Sequence, residues 1–119
     1  MANVLKDKSF DFAVNIVQLS KDLQTKNEFI LSKQVLRSGT AIGALVRESQ
    51  SAESTKDFIH KLSIAQKECN ETLYWLELLI ETNFIIKESF DKLHSDCNEI
   101  FKEYYFDFEA KIKFLINHS

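Results

Sequence analysis

The chain has 119 residues, of which 45% are hydrophobic and 28% charged, and its formal net charge at pH 7 is −3. This composition excludes a disordered polypeptide, and no apolar run approaches the roughly 20 residues of a membrane span. The weak negative charge gives no global attraction to nucleic acid or to an anionic membrane. There is no proline, and there are only two glycines. We therefore expect one all-α domain, residues 1–119, with long helices and short loops.

The first predicted helix has apolar residues at helical spacing, and the polar stretch QTKNE ends it. We expect its buried stripe to contain Phe10, Ala13, Val14, Val17 and Leu23, with Ile16 and Leu19 widening the stripe. Thr25 is followed three residues later by Glu28, which matches a capping box. The pattern therefore predicts that Thr25 begins the second helix.

The second predicted helix has a seam that steps by four and three residues, formed by Leu31, Val35, Ser38, Ile42 and Leu45. Both glycines, Gly39 and Gly43, lie one turn apart on a neighbouring face. Each glycine costs roughly 0.5–1 kcal/mol relative to alanine inside a helix. We therefore expect these two positions to admit the backbone of another helix. The spacing is compatible with a helix of the same chain and with a helix of another subunit.

The third predicted helix has the clearest periodicity in the chain. Ser54, with Asp57 three residues later, matches a capping box at its start, and Asn83 is a plausible stop because asparagine tolerates left-handed geometry. Its apolar face alternates steps of four and three throughout: Phe58, Leu62, Ala65, Cys69, Thr72, Leu76 and Leu79. Such a repeat is typical of helices that pack side by side.

The fourth predicted helix follows the linker FIIKES. Its apolar positions are Phe90, Leu93, Cys97, Ile100, Phe101, Tyr104, Phe108, Ile112 and Leu115. Four antiparallel helices with short connections predict an up-down-up-down four-helix bundle.

Three cations share another face of the second helix, namely Lys33, Arg37 and Arg47, with Thr40 and Ala44 between them. No acid interrupts this stripe. The cations could meet phosphate groups of RNA or DNA, each as a point donor or a forked donor. The alternative is an ordinary solvated face of the helix.

Two carboxylates and the only tryptophan share a face of the third helix: Glu68, Glu71 and Trp75. A di-iron bundle requires Glu-x-x-His pairs on two helices, and none of the three histidines follows a glutamate by three residues. We therefore expect a helix or subunit contact here and not a metal site. If Arg37 or Arg47 reaches these acids, the basic stripe is partly neutralised.

No nucleophile elbow, P-loop, dinucleotide fingerprint or zinc spacing occurs in the sequence. Cys69 and Cys97 have no metal-like or redox-like spacing, so we interpret them as reduced core thiols. The expectation is a protein without catalytic residues, cofactor or metal. The first residues lack the pattern of a signal peptide, which predicts a cytoplasmic location.

Residues 34–79, above all LRSGTAIGA, DFIHKLSIAQKE and ETLYWLELL, resemble the four-helix-bundle family linked to 23S rRNA intervening sequences, sometimes labelled ribosomal S23. The resemblance implies a small bacterial, cytoplasmic bundle that assembles into a homopentamer. A similar protein, the accessory protein of diversity-generating retroelements, is thought to bind nucleic acid and a reverse transcriptase. The resemblance implies no catalytic residues.

Two hypotheses follow for the function. In the first, the chain is a non-enzymatic homo-oligomer that contacts RNA or DNA weakly through Lys33, Arg37 and Arg47. In the second, it is an oligomeric scaffold for a partner protein, and the same cations are engaged in ion pairs. Both hypotheses exclude a role at a membrane.

Overall fold

The computed structural model describes the backbone of residues 2–118 and the side chains of residues 4–103, 109, 112, 113, 116 and 117. Its elements are four helices, α1 (Ala2–Thr25), α2 (Ile30–Gln50), α3 (Thr55–Glu81) and α4 (Lys87–His118). Each helix packs against the next one, and α4 packs back against α1. The predicted all-α four-helix bundle with antiparallel neighbours is confirmed.

The α1–α2 turn and the α3–α4 turn lie at the same end of the bundle. Lys26 Nζ in the first turn donates to the Phe84 carbonyl oxygen in the second at 2.8 Å. Asn27 and Asn83, one in each turn, have φ angles of 63° and 64°. The left-handed residue lets the following N–H bond back into the last helical turn. The stop predicted at Asn83 is confirmed, and Asn27 ends α1 in the same way.

The helix start predicted at Thr25 is wrong. Thr25 is the last residue of α1, and its hydroxyl donates to a backbone carbonyl of that helix. The second helix begins at Ile30, and the Glu28 carboxylate accepts hydrogen bonds from the N–H groups of Leu31 and Ser32. Residues 26–29 form the turn in which the chain reverses direction. Glu28 lies in this turn, just before α2, and its carboxylate satisfies free N–H groups at the start of that helix.

The start and the seam predicted for α3 are both confirmed. Ser54 is the N-cap, and its Oγ accepts a hydrogen bond from the Asp57 N–H at 3.1 Å. Six of the seven predicted seam residues are buried, and Phe58 packs half-buried against the core. The seam residues of α2 also face the core, and so do Phe90, Leu93, Cys97, Ile100 and Phe101 of α4. Ile112 is half-buried, and Ile116 is exposed. Tyr104, Phe108 and Leu115 lie outside the described side chains.

The stripe predicted to be buried on α1 is correct in part. Ile16, Leu19 and Leu23 are buried, whereas Phe10, Val14 and Val17 are exposed. Leu5 and Phe12, which the prediction did not include, complete the buried stripe. The buried stripe and the exposed one both have helical spacing, so the sequence pattern of α1 alone does not distinguish them. The position of α2 decides between them.

The two glycines of α2 lie against α1 of the same chain. A Cβ atom added at Gly39 would lie 2.8 Å from the branched side-chain carbons of Ile16, and one added at Gly43 would lie 3.2 Å from the Ser9 carbonyl oxygen. The glycines therefore bring the α1 backbone close to α2. This approach places Ile16 in the core between the two helices.

Buried hydroxyl groups link neighbouring helices. Ser20 Oγ and Ser32 Oγ are 2.7 Å apart across α1 and α2, and the Thr72 hydroxyl donates to Ser38 Oγ at 2.9 Å across α2 and α3. All four residues are buried. Because an unpaired buried hydroxyl is costly, these bonds favour one alignment of each helix pair.

Substituting Gly39 with alanine is expected to lower the free energy of unfolding. Overpacking against Ile16 costs about 1–3 kcal/mol, of which the better helix propensity of alanine returns about 1 kcal/mol. In urea denaturation, Gly39→Ala and Ile16→Ala should couple, so that the double variant loses less stability than the two single losses added together. Gly43→Ala should cost less than Gly39→Ala, because its contact distance is longer. Strict additivity of the two substitutions would contradict the close contact.

Candidate interaction surfaces

An ion-pair cluster joins the outer edges of α2 and α3. Arg37 Nη1 contacts Glu68 Oε2 at 3.3 Å, and Arg37 Nη2 contacts Glu71 Oε2. The same Glu71 oxygen accepts a hydrogen bond from the Trp75 indole N–H at 3.1 Å. We call these four residues the Arg37 cluster. Their carboxylates are occupied by protein donors, so the arrangement is a contact between helices and presents no free acid–base pair.

The three cations of the predicted basic stripe have different surroundings. Arg37 is bound in the Arg37 cluster, and the guanidinium carbon of Arg47 lies 5.1 Å from the centroid of the Phe10 ring. Lys33 is exposed and has no hydrogen-bond or ion-pair partner among the described side chains. The structure therefore does not present three equivalent free cations on this face of α2.

An apolar surface covers the outer side of the α1–α2 pair. Phe10, Val14 and Val17 are spaced by four and three residues and are 50%, 52% and 37% exposed. Beside Phe10 a shallow groove of about 300 Å³ is lined by Phe10, Ala13, Thr40, Gly43, Ala44 and Arg47. We call the stripe and this groove together the α1–α2 apolar surface. Isolated exposed apolar residues are common, whereas an aligned set beside an apolar groove is typical of an interaction site.

A second groove runs between α1 and α4. It contains two neighbouring cavities of about 200 and 180 Å³, and Asn15 and Lys92 line both. Phe12, Leu19, Leu93 and Ile100 form the apolar part of the lining, and Asp11, Asp22, Asp96 and Glu99 contribute carboxylates. We call this the α1–α4 groove.

One lysine bridges α1 and α4 at an end of this groove. Lys8 Nζ lies 2.6 Å from Glu99 Oε1 and 3.2 Å from Glu103 Oε1. The hydrogen bond to Glu99 raises the pKa of Lys8, and the same bond lowers the pKa of Glu99. The bridge holds the two helices together where the lining of the groove is polar.

Residues 2–105 match the family model described as 23S rRNA-intervening sequence protein. The chain belongs to the 23S rRNA-intervening sequence protein family. The recognition of this family from the residues is thereby confirmed.

A solved structure of the S23 ribosomal protein family from Bacteroides thetaiotaomicron is similar to this chain along most of its length. The TM-score is 0.89 at 52% sequence identity, and the match covers 91% of this chain and 97% of the other. The Bacteroides protein is described as a protein of unknown function. No curated protein matches the chain.

The described residues contain no group of three or more His, Cys, Asp or Glu side chains that could hold a metal ion. Among the same residues no helix is long and apolar enough to cross a membrane. Cys69 and Cys97 are buried free thiols, and the Cys97 thiol donates to the Cys69 carbonyl oxygen at 3.6 Å. Hydrogen bonding with Cys97 and burial raise the pKa of Cys69, which disfavours the reactive thiolate.

Sequence reasoning missed both the α1–α2 apolar surface and the α1–α4 groove. The signal for the surface was present, because α1 has two apolar stripes with helical spacing and a bundle helix needs only one for the core. The groove had no local signal. Its lining comes from residues about 80 positions apart in sequence, which only the return of α4 to α1 brings together.

Replacing Arg37 with glutamine should release Glu71 and alter the surroundings of Trp75, the only tryptophan. We expect a loss of about 0–1 kcal/mol in the free energy of unfolding, because the ion pairs are partly exposed. The emission of Trp75 should change as well. Lys33→Gln, a neutralised neighbour without a described partner, is the matched control and should change neither quantity. Equal effects of the two variants would rule out the Arg37 cluster in solution.

Proposed function

We propose that the protein is a non-enzymatic, homo-oligomeric helical-bundle scaffold that assembles through the α1–α2 apolar surface. The observation that carries this proposal is the aligned exposure of Phe10, Val14 and Val17. Burial of apolar surface is worth roughly 25 cal/mol per Å², so covering this stripe with protein is favourable. The groove beside Phe10 gives the surface a shape that a partner can fill.

The composition of this surface supports a protein partner. Aromatic and arginine side chains are enriched at subunit contacts, and here the Arg47 guanidinium lies over the Phe10 ring. Ala13, Thr40 and Ala44 have small side chains, which leave space in the groove for the side chains of another subunit. The number of five subunits rests on the family resemblance, which implies a homopentamer.

The proposal of a non-enzymatic role is supported by the contacts and the burial of the carboxylates and thiols that could otherwise react. Glu68 and Glu71 are engaged by Arg37 and Trp75, and the two thiols are buried. Neither the family description nor that of the Bacteroides protein names a reaction. An interaction role is therefore the function that the surface favours.

Contact with nucleic acid is the second candidate function, and Lys33 is the observation that favours it. Its ammonium is exposed and lacks a partner among the described side chains, so it is available to a phosphate group. One such cation per subunit binds weakly, but a homo-oligomer repeats it. Repetition on one rigid assembly raises the affinity without a new kind of contact.

Placing a charge in the apolar stripe should dissociate the assembly. We expect Val14→Glu to yield a folded monomer in light scattering coupled to size exclusion, because the carboxylate would be buried without a partner. Ile86→Glu is the matched control, since Ile86 is also an exposed apolar residue but lies in the turn between α3 and α4. It should keep the mass of the parent. A parent protein that is itself monomeric, or an unchanged mass for Val14→Glu, would overturn the proposal.

The second candidate predicts weak binding that depends strongly on salt. We would titrate labelled structured RNA and duplex DNA at two salt concentrations and follow the fluorescence anisotropy. Lys33→Glu should weaken binding and flatten its salt dependence. Lys67→Glu, which reverses the charge of an exposed lysine on α3, should have the smaller effect. Absence of binding at low salt, or equal effects of both variants, would refute nucleic-acid contact through Lys33.

A further inference from the structure

The two cysteines of the chain meet across the contact between α3 and α4. Cys69 lies on the buried face of α3 and Cys97 on that of α4, and both are fully buried. The Cys97 thiol donates to the Cys69 carbonyl oxygen at 3.6 Å. A cysteine side chain ends one bond beyond Cβ, so a sulfur that contacts the opposite backbone shows that the two helices approach closely at this level.

This pair of thiols is protected while α3 and α4 are packed. Hydrogen bonding with Cys97 and burial raise the pKa of Cys69, and the thiolate is the form of cysteine that reacts with oxidants. Water and oxidant reach the sulfurs only when α4 moves away from α3. Local openings of this kind cost less free energy than unfolding of the whole domain. In the opened state the thiols are solvated, and they ionise as ordinary cysteines do.

We infer that Cys69 and Cys97 form a redox-sensitive lock, in which hydrogen peroxide joins them in a disulfide after α4 has opened. First, the thiolate of one cysteine attacks a peroxide oxygen, the O–O bond breaks, and a sulfenic acid forms. Second, the other sulfur attacks the sulfenic sulfur as α4 closes, so that the S–O bond breaks and the S–S bond forms. The protein loses two electrons and the peroxide gains them. The two thiol protons leave in the two water molecules that are produced.

The disulfide has a defined effect on the bundle. It closes a loop of residues 69–97, which includes the turn between α3 and α4. A cross-link over such a loop restricts the unfolded chain and thereby stabilises the folded one. It also stops α4 from separating from α3 at this level. Oxidation therefore engages in chains whose fourth helix has opened and holds them in the closed form, whether or not the chain self-associates.

The test compares the reduced parent with a variant that lacks only the redox chemistry. Cys97→Ser is the matched control, because its hydroxyl keeps a donor for the Cys69 carbonyl oxygen but forms no disulfide. Both proteins are incubated with hydrogen peroxide, in buffer and in urea below the unfolding transition. Intact mass under denaturing, non-reducing conditions and peptide mapping identify the product. Since the chain has two cysteines, a disulfide within one chain joins Cys69 to Cys97.

We expect the parent to yield a peptide pair joined by Cys69 and Cys97, with the loss of two hydrogen atoms from that pair. The melting temperature should rise by roughly 5–15 °C and return to its starting value on reduction with dithiothreitol. Urea should accelerate the cross-link several-fold while circular dichroism still reports the folded helix content, because the reaction requires α4 to open. Cys97→Ser should gain no thermal stability under either condition.

Four results would overturn the inference. Thiols that stay reduced in peroxide, even in urea that exposes them to a thiol-labelling reagent, would show that no lock forms. Oxidation to sulfinic acid, or to a disulfide between two chains, would show that the two sulfurs of one chain do not meet. A disulfide that lowers the melting temperature would show that the bond does not fit the packed helices. A cross-linking rate that does not respond to urea would contradict the required opening of α4.

Discussion

The close approach of α1 to α2 at Gly39 and Gly43 is the constraint on which the rest of the structure depends. Without side chains at these positions, Ile16 of α1 lies directly against the α2 backbone. Once Ile16 is fixed there, the helical period determines which residues of α1 face inward. It also determines that Phe10 and Val14 face outward. The packing of two glycines thus sets both the core and the exposed apolar surface.

Buried hydroxyl pairs reinforce this alignment because hydrogen bonds depend on direction as well as distance. Ser20 and Ser32 join α1 to α2, and Ser38 and Thr72 join α2 to α3. A shift of one helix turn would leave these hydroxyls unpaired in the core, at a cost of about 1–3 kcal/mol for each orphaned group. Apolar packing alone tolerates such shifts more readily. The polar pairs therefore contribute specificity to a core that is otherwise aliphatic.

The distribution of charge differs between the sides of the bundle although the net charge is small. Arg47, Lys6 and Lys21 border the exposed apolar stripe together with the carboxylate of Asp7, whereas Asp11, Asp96 and Glu99 line the groove towards α4. At physiological salt the Debye length is about 8 Å, so these local patches matter more than the total of −3. In this structure α1 is the helix that separates the two patches.

The sequence by itself determined the helices and their order. The lack of proline predicted long helices, and the heptad and the Ser54 cap of α3 predicted where that helix lies and which face it buries. These signals arise from interactions within one helix, so they can be recognised in a short stretch of sequence. The stop at Asn83 was visible for the same reason. The 23S rRNA-intervening sequence family was recognisable because its motifs are contiguous stretches. The glycine spacing predicted a close helix contact but did not identify the partner helix.

Only the tertiary structure decided which stripe of α1 is buried and where each cation points. Two apolar stripes fit the period of α1 equally well, and the choice depends on Ile16 meeting Gly39, a contact between positions far apart in sequence. The sequence allowed Arg37 to be free or paired, and its pairing with Glu68 depends on the alignment of α2 with α3. The α1–α4 groove exists only because the fourth helix returns to the first. Packing between residues far apart in sequence determines these features, and no local sequence pattern encodes that packing.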